Sequence, residues 1–247
     1  MGVRVRGKRY REAAKHVPPA PVAFEAAFPV LKEMLDVRQK MNKAGKKVDE
    51  TVNMVVHLGI DAKQADQAVR GALSLPKGIG KTNRVIAFVQ GNNIDVAKAA
   101  GATEAGADEL IAKVNGGWTD FDVAVATPDM MPKIARLGKV LGPQGKMPSP
   151  KAGTVTTDVT TAVKEYTAGK IEFRNDAGGN IHAVIGKMSF ADADLTANAM
   201  ALIQKLRTMK PVTAKGTFIK KVTLHGAMSP AVPIDTAHLE VKEEAEH

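Results

Sequence analysis

Cysteine is absent from this 247-residue chain, which excludes disulfides and thiolate-held metal. Aromatic residues are scarce at 4%: one tryptophan, Trp118, two tyrosines, Tyr10 and Tyr166, and seven phenylalanines. That is too few rings for a surface that stacks successive bases of a single strand. No run of about 18 apolar residues occurs, so no membrane-spanning helix is expected. The basic N-terminus, MGVRVRGKRYREAAKHVPP, has no apolar stretch behind it and does not read as a signal peptide. These absences suggest a soluble cytosolic protein. Catalytic groupings are missing too. The six histidines are scattered without ligand spacing, no serine sits in a nucleophile elbow, and no Asp/Glu pair stands out. No enzyme, metal or cofactor is expected.

Acidic charge is missing in one informative place. Residues 127–154 read TPDMMPKIARLGKVLGPQGKMPSPKAGT, and between Asp129 and Asp158 stand Lys133, Arg136, Lys139, Lys146 and Lys151 with no carboxylate among them. Pro132, Pro143, Pro148 and Pro150 alternate with Gly138, Gly142, Gly145 and Gly153, so the second half propagates neither helix nor regular strand. A long irregular segment of this kind is usually functional or disordered, and fixed φ at proline favours a shaped loop. The whole chain carries 35 Lys+Arg against 26 Asp+Glu, for a net charge of +9. Such a field attracts polyphosphate backbones or anionic membranes. Charge and the lack of rings together favour recognition of a folded RNA by its shape and phosphates, with DNA left open on charge alone.

Residues 22–41 place Phe24, Ala27, Phe28, Leu31, Met34 and Leu35 at helical spacing, and residues 50–60 alternate as a half-buried strand. The first fifteen residues hold Arg4, Arg6, Lys8, Arg9, Arg11 and Lys15 against Glu12 alone, either a solubilising arm or a nucleic-acid-binding one. From Pro76 the rhythm changes. The runs VIAFV (85–89) and VAVA (123–126) suit strands covered on both faces, and helical patterns near 94–100 and 108–114 separate them. Residues 171–174 and 181–185 read as a strand pair around the turn 177–179. Residues 195–206 read as an amphipathic helix, and 217–224 as another alternating strand with Phe218 in the core. The segment PKGIGKT (76–82) ends like a phosphate-binding loop. The glycine such a loop needs is Leu75, and a strand rather than a helix follows, so a basic hinge is the better reading.

The run LGPQGKMPSPKAGT (141–154) resembles the signature of the ribosomal protein L-one family, bacterial type. The resemblance extends to GKRYR (7–11), DETV (49–52), LGID (58–61), VRG (69–71), GWTDFDVAVATPD (117–129), IEFRND (171–176), IHAVIGKMSF (181–190) and KGTF (215–218). It implies an α/β fold of two domains. A discontinuous α+β RNA-binding domain comprises residues 1–75 and 169–247, with an acidic tail at 235–247. A Rossmann-like α/β domain, 76–168, is inserted in it. The implied function is to bind a folded large-subunit rRNA junction, forming the mobile stalk at the exit site for tRNA. Further implied roles are helping deacylated tRNA leave and repressing translation of the operon's own mRNA.

Carried onto this sequence, the resemblance implies rRNA contacts from Arg9, Lys47, Asp49, Glu50, Thr51, Arg174, Asn175, Asp176, His182, Lys215, Thr217, Ala227, Met228 and Ser229. The loop carrying Lys139, Lys146 and Lys151 is expected either to face rRNA or passing tRNA or to be a purely structural loop packing the two domains together. The chain departs from the family at Val48, where an aromatic is usual, and at Ala227-Met228-Ser229, where Thr-Met-Gly is usual. Its basic segment at 38–47 is also longer than usual.

Overall fold

The computed structural model describes residues 7–41 and 48–237. The site candidate Lys47, the arginines at 4 and 6, and most of the expected acidic tail lie outside the described residues. In chain order the elements begin with α1 (Lys8–Ala14), α2 (Phe24–Lys40), β1 (Thr51–Leu58), β2 (Arg70–Ser74), β3 (Val85–Phe88), α3 (Asn93–Ala99), β4 (Glu104–Gly106), α4 (Asp108–Asn115) and β5 (Val123–Ala126). They continue with α5 (Met131–Ile134), α6 (Gly138–Leu141), α7 (Val159–Thr167), β6 (Lys170–Arg174), β7 (Asn180–Lys187), α8 (Asp192–Thr208), β8 (Ile219–Gly226) and β9 (Val232–Ile234). The chain divides into two compact units, one of residues 70–172 and one of everything before and after. The boundaries expected at 75/76 and 168/169 move to 69/70 and 172/173, because β2 and β6 pair as a two-stranded ribbon and β2 goes with the inner unit.

The outer unit is built on a four-stranded sheet in the order β7-β1-β8-β9. Its neighbours are antiparallel throughout. Strict alternation in β1 sends Val52, Met54, Val56 and Leu58 into the core and leaves Thr51, Asn53, Val55 and His57 half-open. Helix α2 buries the six residues that its spacing predicts, and α8 buries Leu195, Ala199, Leu202, Ile203 and Leu206. These helices pack on each other and against β7, β8 and β9. Phe218 is buried, as the alternation of residues 217–224 suggested. The N-terminal segment is not wholly an arm, since α1 packs on α2 and buries Ala13.

One strand pairing differs from expectation. β6 and β7 do not form a hairpin: β7 pairs with β1, β6 with β2, and a single bridge, Asn175↔Ile181, joins the two. The cause is local. Val69 and Asn175 exchange two hydrogen bonds, Asn175 N to Val69 O at 3.0 Å and Val69 N to Asn175 Oδ1 at 2.9 Å, which ties the end of β6 to the chain entering β2.

The inner unit has a parallel three-stranded sheet, β4-β3-β5. All four residues of β3 are buried, as a doubly covered strand requires. Ile86 and Phe88 pack with Leu110 and Val114 of α4 and with Met130, Ile134, Leu137 and Leu141. On the other side Val85 and Ala87 pack with Ala97 of α3 and Val159, Val163 and Tyr166 of α7. The proline- and glycine-rich segment is more helical in its first half than its composition suggests. Residues 128–141 form successive short turns, and Pro132 is tolerated at the start of α5 because no helical partner awaits its missing N–H there.

Candidate nucleic-acid interface

The start of β1, the end of β7 and the turn after β8 meet at one end of the outer unit's sheet. Thr51 O accepts from Ala227 N at 3.0 Å and Glu50 O accepts from Met188 N at 2.9 Å. Asp49 accepts from Ser189 N at 3.1 Å and from Ser189 Oγ at 2.9 Å, with Lys187 Nζ at 3.9 Å. Behind this rim Glu50 is buried, 5% exposed, and ion-paired to Arg38 of α2. The second carboxylate oxygen of Glu50 accepts from Ser229 Oγ at 3.1 Å and from Met228 N at 3.3 Å, and Arg38 Nη1 lies 3.4 Å from Ser229 Oγ. A Cβ on Gly226 would come within 2.7 Å of that same oxygen and 2.9 Å of Met188 Cε, so glycine is what lets the carboxylate under the turn. The outcome is a pinned turn with Met228 67% exposed at its tip and Val48 47% exposed at the same rim.

Two residues expected at an RNA surface, Glu50 and Ser229, therefore face inward and hold the turn, while Asp49, Ala227 and Met228 face outward and Thr51 is half-buried. Sequence reasoning missed Arg38, which supplies the counter-charge. Its place in a basic segment of unusual length hid its helical register.

Of the half-open face of the sheet, sequence reasoning names only Thr51 and His182 as contacts. Asn53 sits between Val184 and His225, Val55 between His182 and Thr223, and His57 between Asn180 and Lys221. His57 Nδ1 and Asn180 Oδ1 are 2.9 Å apart, and His225 Nδ1 is 2.9 Å from Gly226 O. Several donors and acceptors with a lysine thus stand in rows on a rigid surface, the form that reads shape and ribose groups. The alternation of Thr51, Asn53 and His57 was the available signal.

At the opposite end of the sheet the turn after β6 is held by its own carboxylate. Asp176 Oδ1 accepts from Asn180 N at 2.7 Å and from Gly178 N at 2.8 Å, with His182 Nε2 at 3.5 Å from Oδ2. The Asn180 backbone N–H, then its side chain, the Gly178 N–H and His182 hold the Asp176 carboxyl down at about 2, from an ordinary 3.8. A depressed carboxyl stabilises the fold fully above its unfolded value, and that contribution is lost as pH falls through the folded value. Asp176→Ala should therefore lower the denaturant midpoint by a constant amount down to about pH 4, with the gap to wild type closing toward pH 2. Midpoints measured at steps across that range check this; a gap still open at pH 2 would show that the turn does not depend on the charge. Asn175 is occupied by Val69 and by Asp176 O, whereas Arg174, Lys215 and Thr217 are exposed, and Arg9 is exposed on α1.

In the inner unit, Lys139 and Lys151 face solvent, but Lys146 turns in, donating to Thr119 O at 2.9 Å and lying 5.1 Å from the Phe121 ring centre. Lys133 is paired with Asp108 at 3.0 Å. The loop is shaped, not slack. Ser149 N donates to Thr154 Oγ1 at 2.7 Å, the buried Tyr166 hydroxyl donates to Ala152 O, and burial raises that hydroxyl's pKa. Gly142, Pro143, Gln144 and Gly145 protrude. No helix opens after residues 76–82, and Lys81 is paired with Asp122 at 2.8 Å, so nothing there cradles a phosphate. Among the described residues no group of three His, Asp or Glu stands ready to hold a metal, and no helix is long and apolar enough to cross a membrane.

The sequence model of the ribosomal protein L1p/L10e family matches residues 39–230, which includes the whole pinned turn and the half-open sheet face.

Proposed function

Because the chain belongs to the ribosomal protein L1p/L10e family, we propose that it holds a folded large-subunit rRNA junction on the outer unit's sheet, forming the mobile stalk at the tRNA exit site. Membership makes it a structural, rRNA-binding component of the cytoplasmic large ribosomal subunit, from a family that is not one of enzymes. In our reading the outer unit is the rRNA-binding domain. Its contacts are Asp49, Thr51, Ala227 and Met228 at the pinned turn, with His182 and its neighbours on the half-open face. The inner unit presents Lys139, Lys151 and the loop 142–145 to tRNA leaving the ribosome. The same rRNA surface binds a similar fold in the operon's own mRNA and represses its translation.

The observation that carries this reading is the pinned turn. A methionine 67% exposed on a turn fixed from beneath by a buried ion pair is a preorganised contact, not core filler. The half-open face supplies polar groups suited to strand-edge reading of a folded RNA, while lysines add affinity with little sequence information.

The test is a titration of the full chain against a folded large-subunit rRNA stalk fragment and a scrambled RNA of equal length, across salt. Binding to the fragment should persist at about 200 mM salt while the scrambled RNA loses affinity steeply. Equal, salt-sensitive binding to both would reduce the chain to a nonspecific basic protein.

A further inference from the structure

The chain has 11 methionines and no cysteine, the side chain with which peroxides usually react first. Thioethers are therefore the sulfur groups that an oxidant meets here. Among the described residues one methionine stands exposed, Met228 at 67%. Met34, Met54 and Met130 are wholly buried, Met188 is 4% exposed, and the remaining described methionines are half-buried.

The turn that carries Met228 does not depend on its sulfur. Ala227 N donates to Thr51 O, Met228 N to a Glu50 carboxylate oxygen and Ser229 N to Gly226 O, so successive residues are held through the backbone. Beneath them Ser229 Oγ donates to Glu50, and Arg38 neutralises it. The thioether stands outside this frame, in solvent. Met188 is the opposite case. Its Cε lies 2.9 Å from where a Cβ on Gly226 would stand, packed under the same turn. An oxygen added there would be a polar atom buried away from water. Access and the cost of burial both direct an oxidant to Met228 and away from Met188.

Resting on the RNA-binding reading above, we infer that Met228 is a site of reversible oxidation, at which a peroxide converts the thioether to a sulfoxide and releases the RNA. The sulfur lone pair attacks one peroxide oxygen, and the S–O bond forms as the O–O bond breaks. Sulfur loses an electron pair; the second oxygen takes it and, with the proton from the first, leaves as water. A flexible apolar arm becomes a polar, chiral one, which does not pack on a base or ribose as a thioether does. With no cysteine in the chain, the electrons that reverse the step come from outside. A sulfoxide reductase oxidises a pair of thiols to a disulfide, and the sulfoxide oxygen leaves as water. RNA seated on the turn covers the sulfur, so the oxidant acts on chains that are not yet bound.

The experiment treats the full chain with limiting hydrogen peroxide, alone and saturated with the folded stalk fragment, and follows each methionine by peptide mass mapping. In the free chain Met228 should gain oxygen about tenfold faster than Met34, Met54, Met130 and Met188, and the fragment should slow it several-fold. The oxidised chain should melt like the untreated one and bind the fragment about tenfold more weakly. A methionine sulfoxide reductase with a dithiol should restore that affinity. Met228→Leu, whatever its starting affinity, should bind equally before and after peroxide. Oxidation of Met228 no faster than of the buried methionines overturns the proposal, and so does an affinity that falls as far in Met228→Leu as in wild type. Oxidation confined to Met228 with fragment affinity unchanged also overturns it. If untreated wild type binds fragment and scrambled RNA alike, the RNA-binding reading fails, while the oxidation rates, measured without RNA, still decide the site.

Discussion

Glu50→Ala is expected to lower the unfolding free energy of the outer unit by about 3–5 kcal/mol, the usual cost of leaving one member of a buried ion pair unpaired. Arg38, whose side chain is 13% exposed, would keep its charge with only Ser229 for a partner, and Met228 N would lose its acceptor. Chemical denaturation checks the magnitude. Combining Glu50→Leu with Arg38→Met removes both charges together and should recover part of the loss, because the large penalty belongs to the orphaned charge more than to the missing attraction. Recovery should stay incomplete, since Ser229 Oγ and Met228 N still want the carboxylate oxygen. RNA binding separates structure from presentation: the double variant should fold yet bind the stalk fragment weakly, its turn being no longer fixed.

Met228→Ala should do the converse. With 67% of the residue in solvent, its truncation removes almost no core packing, so melting should move little. Affinity for the folded fragment should fall by about 1–3 kcal/mol, the range for a side chain that packs on a base or ribose. Parallel melting and binding curves decide the matter. Unchanged binding removes Met228 from the interface, and lost stability with unchanged binding would assign it to the fold alone.

Periodicity made most elements legible, and it fixed faces better than partners. The six buried positions of α2 and the alternation of β1 follow from spacing, and the fully buried β3 follows from an unbroken apolar run. β6 and β7 also read correctly as strands, but nothing in their own residues says that Asn175 will bind back to Val69 and send them to different sheets. β4, at three half-buried residues, is too short to leave a pattern. The candidate site divides the same way. Motif positions such as Met228 and Asp176 could be named, whereas a charge in a sequence does not reveal whether it is solvated. Glu50 and Lys146 therefore looked like surface contacts, though one is buried and the other turns onto Phe121. Arg38 became visible only when α2 set it against a carboxylate twelve residues away.

The order of strands in the outer sheet bears on how the protein emerges from its own synthesis. β1 is made early, yet both of its neighbours, β7 and β8, come from the last third of the chain. Both pairings of β1 close loops of more than a hundred residues, so the sheet is of high contact order and slow to assemble. The inner unit, continuous from Arg70 to Glu172, has all its strands and helices before β7 is translated and can fold first. Until β8 arrives, the apolar edges of α2 and β1 wait unpaired. A chain truncated after about residue 180 and freed from the ribosome should therefore show a protease-resistant inner unit while its N-terminal segment is still cut, so that segment depends on chaperones until the last strands are made.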